Sequence, residues 1–172
     1  MLKFVESSVT FTEVPQEISL CLNLSLCPNH CKGCSEAYLA GDIGVELTEE
    51  VLIDLINKNA GISCVCFMGG DNSHEDIRNL TSFVHDNYKL KVAMYSGRDY
   101  IDLDLAEVLD YYKIGRWIPF EGSEETWKNQ SAGPLCLPTS NQIMYKREGN
   151  KLIDITHEFR KYPVNNWKSV II

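Results

Sequence analysis

The sequence predicts an α/β fold: a partial, open βα barrel with a mainly parallel sheet. Three observations carry that expectation. The segment "EISLCLNLS" places Ile18, Leu20, Leu22 and Leu24 at period two, the spacing of a strand with one buried face. "ISCVCFM" (Ile62–Met68) is a continuous apolar run, the mark of a parallel strand buried on both faces. Strand-like and helix-like segments then alternate along the chain, which implies parallel strands joined by helical crossovers. With 172 residues the chain is too short for a closed eight-stranded barrel, which takes about 250.

Taken in order, "VTFTEV" (Val9–Val14) alternates β-branched residues and reads as an edge strand or hairpin arm, broken by Pro15. The Glu17–Ser25 strand follows and runs directly into a cysteine-rich loop. Thr48–Asn59 reads as a helix. Thr48 is placed to cap it, Glu49 and Glu50 suit the positive end of its dipole, and Val51, Leu52, Leu55 and Ile56 form its apolar face. After the Ile62–Met68 strand, Ser73 is the expected cap of a helix to about Tyr88, with Ile77, Leu80, Phe83 and Val84 inward. "LKVAMYSG" (Leu90–Gly97) is a strand, Asp102–Leu109 a short helix and "YYKIGRWI" (Tyr111–Ile118) a further strand. Pro119–Ser140 reads as loop, and "NQIMYKR" with "NKLIDIT" reads as a hairpin about Glu148–Gly149–Asn150.

Composition excludes some classes. The net charge of −8 comes without a Lys/Arg cluster, so the phosphate neutralisation that nucleic-acid binding needs is missing. No apolar run reaches the roughly 18 residues that span a bilayer. Met1–Thr12 lacks the apolar core of a signal peptide. The expectation is a cytoplasmic protein with neither nucleic acid nor membrane as partner. Cys21, Cys64 and Cys66 lie in apolar stretches and read as buried small hydrophobes. Cys136 is isolated. His74, His85 and His157 have no acid or nucleophile at readable spacing and are expected at the surface or on helices. The Glu121–Glu125 cluster reads as solvated loop.

In folds of this kind function gathers at the carboxyl ends of the strands. Three unusual stretches fall there: the cysteine loop, Gly69–Gly70–Asp71, and Tyr95–Ser96–Gly97. The loop, "LCPNHCKGCSEAY", carries Cys27, Cys31 and Cys34 at C-x3-C-x2-C spacing. Seven cysteines in all argue against a fully paired disulfide set, and clustering in a reducing compartment favours metal. A structural zinc site needs four closed ligands. His30 lies between two of the cysteines, would strain a tetrahedral site, and reads better as a hydrogen-bonding loop residue. A 4Fe–4S cluster is usually held by four thiolates. Three would leave one iron open to a small molecule bearing an amine and a carboxylate.

The C-x3-C-x2-C spacing resembles the signature of the radical S-adenosyl-L-methionine (SAM) superfamily. Gly33 stands where that signature usually has an aromatic residue, which resembles the branch that activates anaerobic ribonucleoside-triphosphate reductase. "DIGVELTEE", "FMGGD", "MYSG", "PTSNQIMYK" and "DITHEF" extend the resemblance. It implies a single radical SAM domain over residues 1–172, with its core about 15–159. It further implies that Cys27, Cys31 and Cys34 hold a 4Fe–4S cluster. Gly69, Gly70 and Asp71 would engage the methionyl amine of SAM, Asp71 being one methylene shorter than the family's Glu. Gly33, Cys34 and Ser35 would lie at the adenine end, Ser96 would line the cofactor, and Lys113 would meet its carboxylate. Asn141–Gln142 either ends a loop or joins this site.

The activity so implied is one-electron cleavage of SAM to methionine and a 5′-deoxyadenosyl radical. That radical takes a hydrogen atom from a glycine of the partner, the large (glycyl radical) subunit of the reductase. No side chain need act as acid, base or nucleophile, and an external one-electron reductant such as flavodoxin would supply the electron. Two other readings of the residues remain: a different small radical SAM enzyme acting on a peptide or nucleobase precursor, and a non-enzymatic metal-binding adaptor.

Overall fold

The computed structural model describes residues 1–118 and 141–159, together with the backbone of a strand at Ser169–Ile171. The predicted loop Pro119–Ser140, with Cys136 and Glu121–Glu125, lies outside the described residues.

The strands are β1 (Lys3–Thr10), β2 (Ser19–Leu24), β3 (Val45–Glu46), β4 (Cys64–Met68), β5 (Lys91–Tyr95), β6 (Tyr111–Ile114), β7 (Ile143–Glu148), β8 (Lys151–Asp154) and β9 (Ser169–Ile171). They form one open sheet in the order β3-β1-β2-β4-β5-β6-β7-β8-β9. Helices α1 (Glu49–Lys58), α2 (His74–Asn87) and α3 (Leu103–Ala106) connect the central strands. The expected α/β alternation is present, but the sheet is mixed rather than mainly parallel. Only β2–β4, β4–β5 and β5–β6 pair parallel. The flanks pair antiparallel: β1 with β2 and β3 on one side, β6 through β9 on the other.

Two further expectations shift. The first strand is Lys3–Thr10 rather than Val9–Val14, because its partner β2 begins at Ser19, opposite Thr10. β2 is buried on both faces rather than one, with Leu20 0% and Cys21 4% exposed. Its polar Asn23 marks the one partly exposed position. β6 stops at Ile114 because Gly115 turns at φ 116° and gives its N–H to the Arg98 carbonyl.

The local signals for α1 hold. Thr48 accepts from the Val51 N–H, satisfying one of the donors a helix start leaves open. At α2, Ser73 sits at the cap position, but its hydroxyl donates to Asp76 at 2.7 Å instead of accepting from the backbone. The predicted hairpin is β7–β8, closed by Gly149–Asn150 with Gly149 at φ 62°.

Strand alternation divides the core. Leu20, Leu22, Leu24, Val65, Phe67, Val92, Met94 and Tyr112 pack with the buried faces of all three helices. The opposite face carries Cys21, Cys64, Cys66, Ala93, Tyr111 and Met144, under Ile155 and Phe159. Cys21, Cys66, Ala93 and Tyr111 lie side by side across four strands. The three cysteines are therefore buried as expected, and burial pushes the Cys64 and Cys66 thiols far above the ordinary range. Since the thiolate is the reactive form, these two act as packing groups. Among the described residues no helix is long and apolar enough to cross a membrane.

Candidate metal centre

Because β2, β4, β5 and β6 run parallel, the segments that follow them emerge at one edge. The cysteine loop follows β2. Leu26 takes φ 61° to leave the strand, and the Cys27 N–H bonds the Leu39 carbonyl at 3.1 Å, tying the loop's two ends together. Inside it, His30 at φ 45° and Gly33 at φ 75° make the turns, and the Cys34 N–H returns to the Cys31 carbonyl at 3.2 Å. His30 contributes backbone: it is exposed, and the hydrogen bond expected of its ring is absent among the described residues.

Cys27, Cys31 and Cys34 are free thiols of intermediate burial. Burial raises the Cys34 thiol above its ordinary value, the Cys31 and Cys27 sulfurs add to the rise, and the Glu36 N–H opposes it. Among the described residues no three Cys, His, Asp or Glu side chains are closed around a metal position. The loop keeps the three sulfurs close enough to influence one another without drawing them to a point. Three accessible soft donors on a turn-rich, end-tied loop fit an iron–sulfur cluster better than a hard cation, which takes oxygen ligands.

Asp71, just past β4, is the hub of this edge, with a side chain 1% exposed. Its Oδ2 accepts from Asn29 Nδ2 at 2.6 Å and from the Gly97 N–H at 2.8 Å. Its Oδ1 accepts from Ser96 Oγ at 2.7 Å, with His74 Nε2 at 3.4 Å and Arg98 Nε at 3.8 Å. Arg98 Nη2 also donates to the Asp71 carbonyl at 2.7 Å. A carboxylate this buried requires such partners.

The adjoining glycines have structural reasons of their own. Gly69 and Gly70 sit at φ 115° and 103°, and a Cβ on Gly70 would lie 2.6 Å from Ile77 Cδ1 of α2. The Gly69 N–H bonds the Tyr95 carbonyl at 3.1 Å, and the Ser96 N–H the Lys113 carbonyl at 2.8 Å. The turn after β4 is thus tied to the end of β5 and the turn after β5 to β6.

The structure brings Cys27, Gly69, Gly70, Asp71 and Ser96 into one connected region. Gly33 and Ser35 are exposed on the loop. Lys113 belongs to the other face: it is 3% exposed, and its ammonium stands 4.1 Å from the Tyr95 ring centroid, Tyr95 packing against the cysteine-lined cluster. Gln142 is a loop-end packing group, donating to the Gly115 carbonyl at 3.0 Å.

His74 and His85 both lie on α2, as expected, and the structure adds acid partners from distant sequence: His74 Nδ1 lies 2.7 Å from Asp102 Oδ2 while Nε2 faces Asp71. His85 Nε2 lies 2.9 Å from Asp110 Oδ2. Burial raises the Asp102 carboxyl, but hydrogen bonds from His74 and the Leu105 N–H outweigh it and leave it below the usual carboxylate range. Sequence reasoning assigns no site role to Asn29, Arg98 or Asp102, and reads His74 only as a surface or helix residue. Asn29 alone carried a local signal, its place inside C-x3-C.

A model of the family described as the 4Fe-4S single cluster domain matches residues 18–144. Searches of curated proteins and of solved structures return no match.

Proposed function

The chain belongs to the 4Fe-4S single cluster domain family, and from that premise we propose that it is a radical SAM enzyme that activates an anaerobic ribonucleoside-triphosphate reductase. The observation that carries the reading is the hydrogen-bonded union, at one sheet edge, of the C-x3-C-x2-C loop with Gly69–Gly70–Asp71 and Ser96–Gly97. A binding module would need only the loop.

In this reading Cys27, Cys31 and Cys34 would hold the cluster as thiolates, and SAM would bind beside it through its amine and carboxylate. When bound, the cluster and SAM together supply one-electron cleavage and a carbon radical that takes a hydrogen atom from a partner glycine. The chain's own residues bind and position. Gly33 and Ser35 flank the third thiolate at the adenine end. Gly69, Gly70 and Asp71 face the amine, Asp71 doing so while anchored by Asn29, Ser96 and Gly97. Ser96 fixes Asp71, and Lys113 supplies a buried positive charge for the carboxylate. Exclusion of water would protect a reactive carbon centre. The partner is the reductase's glycyl radical subunit, with flavodoxin or a similar donor providing the electron.

The test is anaerobic reconstitution with iron and sulfide, followed by SAM, a one-electron reductant and the reductase subunit. About four irons per chain, reductive SAM cleavage and a glycyl radical in the electron paramagnetic resonance spectrum are expected. Cleavage without that radical would redirect the assignment to another substrate. Stoichiometric zinc without cleavage would overturn it.

A further inference from the structure

Asn29 is the second residue between Cys27 and Cys31, and nothing in the spacing of the thiols requires an amide there. Its side-chain nitrogen carries two protons. One goes to Asp71 Oδ2, 2.6 Å away; the same nitrogen lies 3.8 Å from Cys27 Sγ. A hydrogen bond to a carboxylate is about twice as strong as one between neutral groups, so the buried Asp71 fixes where the amide points. Asp71 is itself fixed by Ser96 and the Gly97 N–H.

Gly97 shows that room for Asn29 is built into the next turn. A Cβ at Gly97 would lie 2.5 Å from Asn29 Nδ2, 2.9 Å from its Cγ and 3.3 Å from its Cβ. The φ of Gly97 is not in the left-handed region, so the backbone does not demand glycine. The Asn29 side chain does.

We infer that Asn29 is a positioning residue for the Cys27 ligand: anchored on Asp71 and seated against Gly97, it holds the Cys27 end of the loop to the sheet edge and directs an N–H at the Cys27 sulfur. The inference rests on the reading that the three thiols hold a 4Fe–4S cluster. Hydrogen bonds to ligating sulfur stabilise the more negative, reduced state of such a cluster and so raise its potential. Removing the N–H therefore makes the cluster harder to reduce. It also frees Cys27, and the loss of an outer partner of this kind costs about tenfold or more in metal retention.

The experiment compares wild type, Asn29→Ala, Gly97→Ala and the double variant after anaerobic reconstitution. Three quantities are read: irons per chain, the cluster's midpoint potential, and the rate of iron loss to a chelator. Unfolding of each apoprotein in urea is followed separately. Asn29→Ala is expected to load iron, shift the potential to a more negative value and lose iron about tenfold faster. Gly97→Ala displaces the amide without deleting it and is expected to move both readings the same way. The double variant should match Asn29→Ala alone, since the clash disappears with the side chain. A potential and iron-loss rate in both single variants equal to those of wild type would overturn the inference, as would strictly additive effects in the double variant. Failure of wild type itself to take up iron would instead overturn the cluster reading. Should Asn29→Ala not fold, Gly97→Ala carries the test, because its backbone needs no rearrangement beyond Asn29.

Discussion

Ser96 donates its hydroxyl to Asp71 Oδ1 at 2.7 Å, joining the turn after β5 to the turn after β4 across 25 positions of sequence. Both residues are buried, so the bond is made where water cannot replace it. Removing a hydrogen bond to a buried charged acceptor costs about 1.5–3 kcal/mol. Ser96→Ala should therefore lower apoprotein stability by about 2 kcal/mol, read as a fall in the urea midpoint with an unchanged slope. A loss under about 0.5 kcal/mol would mean that His74 and Arg98, which also face Oδ1, compensate.

That relationship also marks the limit of what was legible in the sequence. The C-x3-C-x2-C spacing, the Thr48 cap and the apolar run at Ile62–Met68 are local, and local periodicity recovered them. The β1–β2 register and the antiparallel flanks depend on pairing between distant segments, which periodicity does not encode. The parallel run in the middle was therefore extended too far. At the site, Asp71 was legible from its place after a buried strand, but its partners were not. His74 and Asp102 are 28 positions apart, and Asn29 and Asp71 are 42 apart. Only the strand order brings them together.

Gly70 separates backbone strain from crowding. At φ 103° any side chain is strained, at about 1–3 kcal/mol, and a Cβ would also press on Ile77 Cδ1 at 2.6 Å, where overpacking adds about 1–3 kcal/mol. Gly61 has φ 91° but nothing within 4 Å of its Cβ position. Gly70→Ala should be clearly more destabilising than Gly61→Ala in urea unfolding. Ile77→Val removes the Cδ1 atom and should recover part of the Gly70→Ala loss. Equal costs at the two glycines would show that backbone strain alone accounts for both.

Asp110 supplies the pH dependence. Its side chain is 14% exposed. Burial raises its carboxyl, but the Val92 N–H, His85 and Lys91 together hold it below the usual value. A folded-state value below the unfolded one means the stabilisation is fully present above the unfolded value, about 3.9, and is lost as pH falls through the folded value. The stability gap between wild type and Asp110→Asn should be full above about pH 5 and shrink below about pH 4. Urea midpoints measured at each pH decide it. A gap that persists undiminished to pH 2.5 would show that the carboxylate's charge is not what stabilises the fold.

Lys113 tests whether the helix-free face receives the ligand. Its ammonium is buried over the Tyr95 ring, and a cation–π contact of this kind is worth about 0.5–2 kcal/mol. Lys113→Met keeps the length of the stem and removes the charge. If Lys113 meets the SAM carboxylate, losing a charge-assisted hydrogen bond should weaken SAM binding about tenfold or more. Iron content should stay at the wild-type level, since Lys113 is not among the three proposed cluster ligands. Calorimetric SAM binding to the reconstituted variant measures the first, and iron analysis the second. Urea unfolding separates any loss of the Tyr95 contact from loss of the ligand contact. Unchanged SAM affinity with reduced stability would make Lys113 a packing residue of the sheet and move the carboxylate contact elsewhere on that edge.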